Sequence, residues 1–238
     1  MVFMVFILAQ QSWVRLMGHI KYLGHAAFEI DLDGKIILVD PWISNPRSPL
    51  KSIDELKKVD YIVVTHDHGD HLGEAVDISK KFGAPIIATF ELANDLSRKG
   101  AKTIGANIGG PIKAGDILFI LVQATHSSTL GAPTGVIIRG KEKTIYHAGD
   151  TGIFSEMELF GEMYKINIAL LPIGGHFTMG PYEAAWAIKM LKPDVVIPMH
   201  YQTFPVISGS PEELKSYLKE MKVDTQLVVL KPGEVYNF

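Results

Sequence analysis

Short β-branched runs alternate along the chain with stretches of helical apolar spacing. Residues 20–23, 26–32 and 36–39 read as strands, and Asp33-Gly34 between the last two is a hairpin signal. Residues 61–65 (YIVVT) form a continuous apolar run, the pattern of a strand covered on both faces. Ala75, Ile78 and Phe82 follow at helical spacing until Gly83 and Pro85 end the pattern. A strand over 86–88 and a helix over 91–99 come next, then strands over 117–124, 136–139 and 144–147, the last pairing back across 140–143. In the second half, 168–171 and 195–199 read as strands. Between them Ala184, Ala187, Ile188 and Leu191 make one helical stripe that opens after Gly180-Pro181. Ser210-Pro211-Glu212-Glu213 is a capping-box start, with Leu214, Tyr217, Leu218 and Met221 on one face, and 227–230 closes the chain as a strand. No Pro/Ser linker, repeat or low-complexity tract interrupts this order. It predicts a single α/β domain of two mixed sheets packed together with helices outside.

The N-terminus stands apart. Residues 1–9 (MVFMVFILA) are apolar throughout, but nine residues cannot span a bilayer as a helix. A basic leader and a small-x-small cleavage site are both missing. Met17 sits just before the first globular-looking segment. Residues 1–16 are therefore read as an extension outside the fold, with translation starting near Met17 and the domain occupying 17–238. The competing reading is a weak export or membrane-anchoring segment.

Composition narrows the chemistry. The 238 residues contain no cysteine and nine histidines. This excludes a disulfide framework, a thiolate nucleophile and any Cys-ligated zinc or iron–sulfur site. A transition metal would have to be held by His and carboxylate. The net charge of −3 argues against a large nucleic-acid surface, and no stable membrane span is expected.

The sharpest feature is His66-Asp67-His68-Gly69-Asp70-His71, between the buried-type strand over 61–65 and a helix. Imidazole and carboxylate suit zinc, manganese, iron or nickel. So many polar groups in six residues would be costly to bury without a partner cation. His66 and His68 can point at one ion while Asp70 and His71 reach a second, with Gly69 allowing the tight turn. His126, Asp150 and His200 each stand at the C-terminal end of an apolar strand, where one rim of a sheet stack would gather them. Any one of these histidines alone would be an ordinary polar residue, as His19 is read to be.

The pattern H-x-H-x-D-H followed by separate His, Asp and His resembles the metallo-β-lactamase superfamily. Gly24-His25-Ala26-Ala27-Phe28, Tyr146-His147-Ala148-Gly149-Asp150-Thr151, Leu171-Pro172-Ile173-Gly174-Gly175, Phe177-Thr178-Met179-Gly180-Pro181 and Pro198-Met199-His200-Tyr201-Gln202-Thr203-Phe204 look like its short metal-dependent hydrolase branch, similar to L-ascorbate-6-phosphate lactonase-like proteins. The resemblance implies a four-layer αβ/βα sandwich of two mixed β-sheets with outer helices. It implies that His66, His68 and His126 bind one metal, that Asp70, His71 and His200 bind the other, and that Asp150 bridges them.

The expected function is binuclear hydrolysis of a small ester, lactone or phosphoester by a metal-bridging hydroxide. Two divalent ions are expected, zinc first, with manganese, iron or nickel also suited. Asp70 would orient the hydroxide. His176, on a loop before a helix N-terminus, is a candidate for substrate contact or proton donation to the leaving group. His25 would line the cleft or brace it, and His147 is read as structural or as a partner of a ligand. Asp67 and Thr151 are candidate partners for ligand imidazoles, and Trp42 is read as packing. Ser127-Ser128 lack the strand–Ser–helix elbow of a serine hydrolase. A small-molecule substrate and a cytoplasmic location are expected. The alternatives are a metal-dependent phosphodiesterase or nuclease, which would want a basic track beside the metals, and a non-catalytic metal-binding regulator.

Overall fold

The computed structural model describes residues 18–238; the readings of residues 1–16 lie outside that range. β1 (His19–Gly24), β2 (Ala27–Leu32) and β3 (Lys35–Val39) form an antiparallel meander. Asp33 (φ 53°) and Gly34 (φ 77°) make its second turn, both in the left-handed region that twisted two-residue hairpins need. The chain then runs through β4 (Tyr61–Val63), the single turn α1 (Gly69–Leu72), α2 (Ala75–Phe82), β5 (Ile86–Thr89), α3 (Phe90–Arg98) and β6 (Thr103–Ala106). β3, β4, β5 and β6 are parallel, so α2 and α3 serve as crossovers. β7 (Pro111–Ala114), β8 (Ile117–Gln123), β9 (Thr134–Arg139) and β10 (Thr144–His147) are antiparallel. α4 (Glu156–Tyr164), β11 (Ile168–Pro172), α5 (Pro181–Leu191), β12 (Val195–Met199), α6 (Pro211–Glu220) and β13 (Gln226–Leu227) continue as parallel strands with helical crossovers. β14 (Val235–Asn237) returns to pair antiparallel with β1.

The result is two seven-stranded sheets, ordered β14-β1-β2-β3-β4-β5-β6 and β13-β12-β11-β10-β9-β8-β7. Period-two alternation sorts the side chains. Phe28, Ile30, Ile37 and Val63 of the first sheet meet Phe119, Leu121, Ile138 and Leu170 of the second in the central core. Leu38, Ile62 and Ile86 point the other way, under Ile78 of α2 and Leu92 and Leu96 of α3. Tyr146, Ala169 and Val196 pack beneath Met157, Ile188 and Leu214 of α4, α5 and α6. Helices, sheet, sheet and helices thus form the four layers of a metallo-β-lactamase fold.

Several elements have no counterpart in the pattern reading, the single turn α1 among them. β6 (TIGA) and β7 (PIKA) are short edge strands with Gly or Pro, tolerated only where a ladder hydrogen bond is dispensable. α4 buries Met157 but leaves Leu159 and Met163 exposed, which blurs its apolar stripe. β14 is three residues long. The strand expected over 227–230 shrinks to Gln226–Leu227 plus one more bond, from Val228 N–H to Val196 O at 2.9 Å.

Strand direction positions the chemistry. β1, β3, β4 and β5 run the same way in the first sheet, as do β8, β10, β11 and β12 in the second. Bonds from His200 N–H to His25 O (2.8 Å) and from Thr134 N–H to Thr65 O (3.0 Å) tie the two rims together.

Phe119 fills the centre of the inter-sheet core with no exposed surface. Phe119→Ala is expected to cost about 3–5 kcal/mol, whereas Met163→Ala on the exposed face of α4 should stay within about 0.5 kcal/mol; urea unfolding of both variants checks this.

Candidate metal centre

The H-x-H-x-D-H segment leaves β4 at its C-terminal end and enters α1. His126 follows β8, Asp150 follows β10 and His200 follows β12. At the common rim these side chains form three overlapping groups: His66, His68 and His126; His66, His71 and Asp150; and His25, Asp70, His71 and His200. Within each group the ligand-type atoms lie within 4.8 Å of one another. Asp150 touches members of the first and third. Its Oδ2 is 3.1 Å from His200 Nε2 and 3.5 Å from His126 Nε2, and its Oδ1 is 3.1 Å from His71 Nε2. His66, His71, Asp150 and His200 are buried, whereas His68, Asp70 and His126 are half-buried and face the opening.

Asp40, which follows β3, organises this cluster from below. It is fully buried. Its Oδ1 accepts from Thr65 N–H (2.8 Å), and its Oδ2 accepts from Thr65 Oγ1–H (2.7 Å) and from His71 Nδ1–H (2.7 Å). A carboxylate only accepts, so these contacts fix two ring tautomers. His71 must carry its proton on Nδ1. The Thr65 hydroxyl spends its proton on Asp40 and therefore accepts from His66 Nδ1–H at 3.1 Å. The Nε2 lone pairs of both rings are then directed away from Asp40.

That arrangement fits a cation. His71 Nε2 and Asp150 Oδ1 lie 3.1 Å apart without hydrogen-bond geometry; both are out of reach of solvent and lack a hydrogen-bond partner, as is His200 Nδ1. Two facing lone pairs so placed need a positive charge between them. In the metal-free protein a proton serves. Burial alone would lower the His71 pKa, but the Asp150 and Asp40 carboxylates raise it well above the ordinary imidazole value. The same partners hold both carboxylates below their usual range against the opposing effect of burial. Burial dominates elsewhere, taking His66 down to about 3 and His25 to about 4 and lowering His126 and His147.

The remaining candidates separate cleanly. His147 donates Nε2–H to Ala26 O (2.9 Å) and accepts from Gly149 N–H (3.1 Å), so both ring nitrogens are occupied and the turn before Asp150 is pinned. Gly149 has φ +61°, and a Cβ there would lie 2.5 Å from Thr134 O. Asp67 holds the loop after His126, accepting from Ser128 Oγ and Thr129 N–H at 2.9 Å each. Thr151 Oγ1 accepts from Thr125 N–H at 2.9 Å, tying the same loop to Asp150. Both therefore brace loops, while Thr65, Asp40 and Thr203 contact the imidazoles. His25 is buried against Asp70, and Trp42 packs edge-on to it. His176 is exposed and stands outside the three groups, its ring meeting Phe177 edge-on. His19 makes only long surface contacts with Glu29 and Asp31. Sequence reasoning missed Asp40; its one signal was a carboxylate at the end of an apolar strand, the placement shared by His126, Asp150 and His200.

The backbone at the site is strained. His25 (φ 55°), Asp40 (φ 47°) and His200 (φ 55°) are all left-handed. For a residue with a Cβ this costs roughly 1–2 kcal/mol each, and such outliers cluster at functional sites.

The family described as the β-lactamase superfamily domain matches residues 35–201. The chain is 58% identical over 229 residues to the UPF0173 metal-dependent hydrolase of Hyperthermus butylicus, covering 93% of this chain and 100% of the relative. It is 55% identical over 224 residues to the corresponding protein of Caldivirga maquilingensis, covering 93% and 98%. Among solved structures, Igni18, a metallo hydrolase from Ignicoccus hospitalis, superposes with a TM-score of 0.89 at 46% identity, covering 93% of this chain and 98% of that one.

Two outcomes follow from the buried network. Asp40→Asn puts a donor where three donors converge; it is expected to weaken divalent-cation binding about 10–100-fold and to lower metal-free stability by about 3–5 kcal/mol, measured by chelator competition and urea unfolding. The second concerns pH. His25 and His66 titrate at about 4 and about 3 when folded, below the ordinary 6.5 of the unfolded chain. As pH falls below 6.5 the unfolded chain gains protons first, so stability is lost progressively down to about pH 4 and, for His66, about pH 3. Well below pH 6.5 the raised His71 is protonated in both states, and towards pH 4 the unfolded chain's carboxylates begin to protonate while the folded ones stay charged, which adds to the loss. A metal-free protein whose Tm is flat from pH 6.5 to 4 would contradict the burial of neutral rings.

Proposed function

From the premise that the chain belongs to the metallo-β-lactamase superfamily of metal-dependent hydrolases, we propose that it cleaves a small ester, lactone or phosphoester at a two-cation centre. His66, His68 and His126 would hold one ion, Asp70, His71 and His200 the other, and Asp150 would bridge them. The observation that carries this reading is the position of Asp150, whose oxygens approach His71, His200 and His126 at 3.1–3.5 Å. The donor set suits zinc first, and also manganese, iron or nickel. Bound there, such ions supply Lewis acidity and lower the pKa of water from 15.7 towards about 7.

The chain's own groups orient substrate and handle the proton. Asp70 is partly exposed to the cleft, and neighbouring His25 and His71 keep its pKa below the carboxylate range although burial opposes this. It therefore stays ionised and can orient the attacking water by accepting its hydrogen bond. His176 would contact substrate or donate a proton to the leaving group, since its exposed loop follows β11 at the same rim. Residues 17–238 would act as one cytoplasmic metallo-hydrolase domain.

The loops over 64–74, 124–133, 148–155, 172–180 and 200–210 carry no Lys or Arg. Ile153, Phe177 and Val206 on them are exposed. A polyanionic substrate would find no counter-charge on these loops, whereas a small uncharged ester or lactone would find apolar walls. This favours the ester and lactone end of the range, in line with the lactonase-like resemblance.

Protein prepared metal-free and reloaded is expected to bind two zinc ions per chain and to hydrolyse members of an ester and lactone panel. Asp150→Ala should lose at least one ion and nearly all activity. His176→Ala should keep both ions and lose about 100-fold in kcat, the lower end of general acid–base contributions. Fewer than two ions after reloading, or full activity without Asp150, would sink the scheme. Turnover confined to nucleotide diesters would favour the phosphodiesterase instead.

A further inference from the structure

His25 sits at the tip of the turn after β1, on the first sheet, yet every group its side chain bonds comes from elsewhere. Its Nε2 is 3.1 Å from Asp70 Oδ2, and its Nδ1 is 3.0 Å from Thr203 Oγ1 on the loop after β12. The side chain has no exposed surface. The ring lies 4.1 Å from that of His200 and meets Trp42 and Phe204 edge-on at 5.3 and 5.5 Å. Its carbonyl accepts from Tyr22 Oη (3.0 Å) and from His200 N–H (2.8 Å). This ring is thus held from above, below and behind, in a backbone conformation (φ 55°) that has to be paid for.

Donor and acceptor chemistry fixes what it does. Asp70 is a carboxylate and only accepts, so the nitrogen facing it must carry the proton. A neutral ring with Nε2–H has a bare lone pair on Nδ1, and the Thr203 hydroxyl can supply a donor to it. Both nitrogens are then satisfied. This distinguishes His25 from His71, whose Nε2 is unpartnered, and from His200, whose Nδ1 is. It also leaves His25 no lone pair to give a cation.

We propose that Thr203, His25 and Asp70 form a buried hydrogen-bonded relay in which His25 is a positioning residue: it ties Asp70 Oδ2, leaves Oδ1 to the cleft, and makes the carboxylate's orientation depend on the loop after β12. The proposal deepens the two-cation reading and relies on it only where cation affinity is the readout. Through this relay the second sheet's rim loop sets a group carried by α1 on the first sheet.

The near-isosteric pair Thr203→Val and Thr203→Ser tests the hydroxyl, with zinc ion as the probe and chelator competition as the measurement. Thr203→Val is expected to weaken the more sensitive of the two zinc ions about 10–100-fold, while Thr203→Ser stays near wild type. His25→Gln, whose amide can still donate towards Asp70, should bind zinc more tightly than His25→Leu. Equal losses in the Val and Ser variants, or none in either, would overturn the relay. A second measurement needs no zinc: long-range 15N–1H spectra of 15N-histidine-labelled, metal-free wild type, with the His25 signals assigned by their loss in His25→Gln. The Nε2–H tautomer supports the relay. The Nδ1–H tautomer would overturn it and make His25 a cation ligand. A protein that failed to take up zinc would sink the two-cation reading, and the tautomer would still decide this one.

Discussion

The arrangement depends on one buried carboxylate. Asp40 has no solvent, and its only compensation is three donors: the amide and hydroxyl of Thr65 and the imidazole of His71. A buried charge costs several kcal/mol unless it is fully bonded, so these contacts are obligatory once the chain is folded. Their side effect is chemical. Through His71 directly, and through Thr65 to His66, the same carboxylate sets the proton position on two rings that meet at Asp150. Stability and ligand readiness are therefore one interaction viewed from two sides.

Much of this was legible in the sequence because the fold uses strong local signals. The apolar run before His66, the capping box at Ser210 and the Gly180-Pro181 helix start all form the elements they suggest. The rim was legible too, because chemistry-bearing residues follow apolar strands. Asp40 shares that placement but was missed, because nothing local marks a carboxylate for burial. Its partners lie 25 and 31 residues away, and its left-handed backbone is imposed by the turn into Pro41 and Trp42. His25 was read as lining or bracing the cleft, but its acceptor and donor come from positions 70 and 203, which only sheet packing brings together. Asp67 and Thr151 were reasonable partners for ligands on proximity in sequence; the structure uses them to fasten loops. The edge strands β6 and β7 escaped because edges are where weak β-formers are allowed.

Sheet packing also explains why the strain is tolerated. His25, Asp40 and His200 each occupy a left-handed conformation at a strand end, where the chain must leave the sheet sharply to aim a side chain along the rim. Each is over-determined. His25 O is held by Tyr22 and His200, Asp40 N–H donates to Val63 O, and His200 N–H donates to His25 O. A rigid two-sheet scaffold can carry a few kcal/mol of such strain because it is distributed over bonds that the core enforces.

Charge provides the last link. Asp40, Asp70 and Asp150 are held as carboxylates and His71 as an imidazolium, so these four groups sum to −3 + 1 = −2 before any cation enters. Two divalent ions would bring +4 and displace the His71 proton, since ligating imidazole must be neutral. The same groups with both ions would then sum to −3 + 4 = +1. The centre would pass from attracting cations to carrying a net positive charge that favours an electron-rich group in the cleft. The five loops named above carry no Lys or Arg, and Arg47, on the loop after β3, is engaged with the carbonyl (2.8 Å) and ring of Tyr201, so most of that positive field would come from the ions. A small carbonyl compound needs no more than this, whereas a nucleic-acid backbone would require a wider basic track. The scarcity of basic side chains on those five loops is therefore part of how the site would choose its substrate.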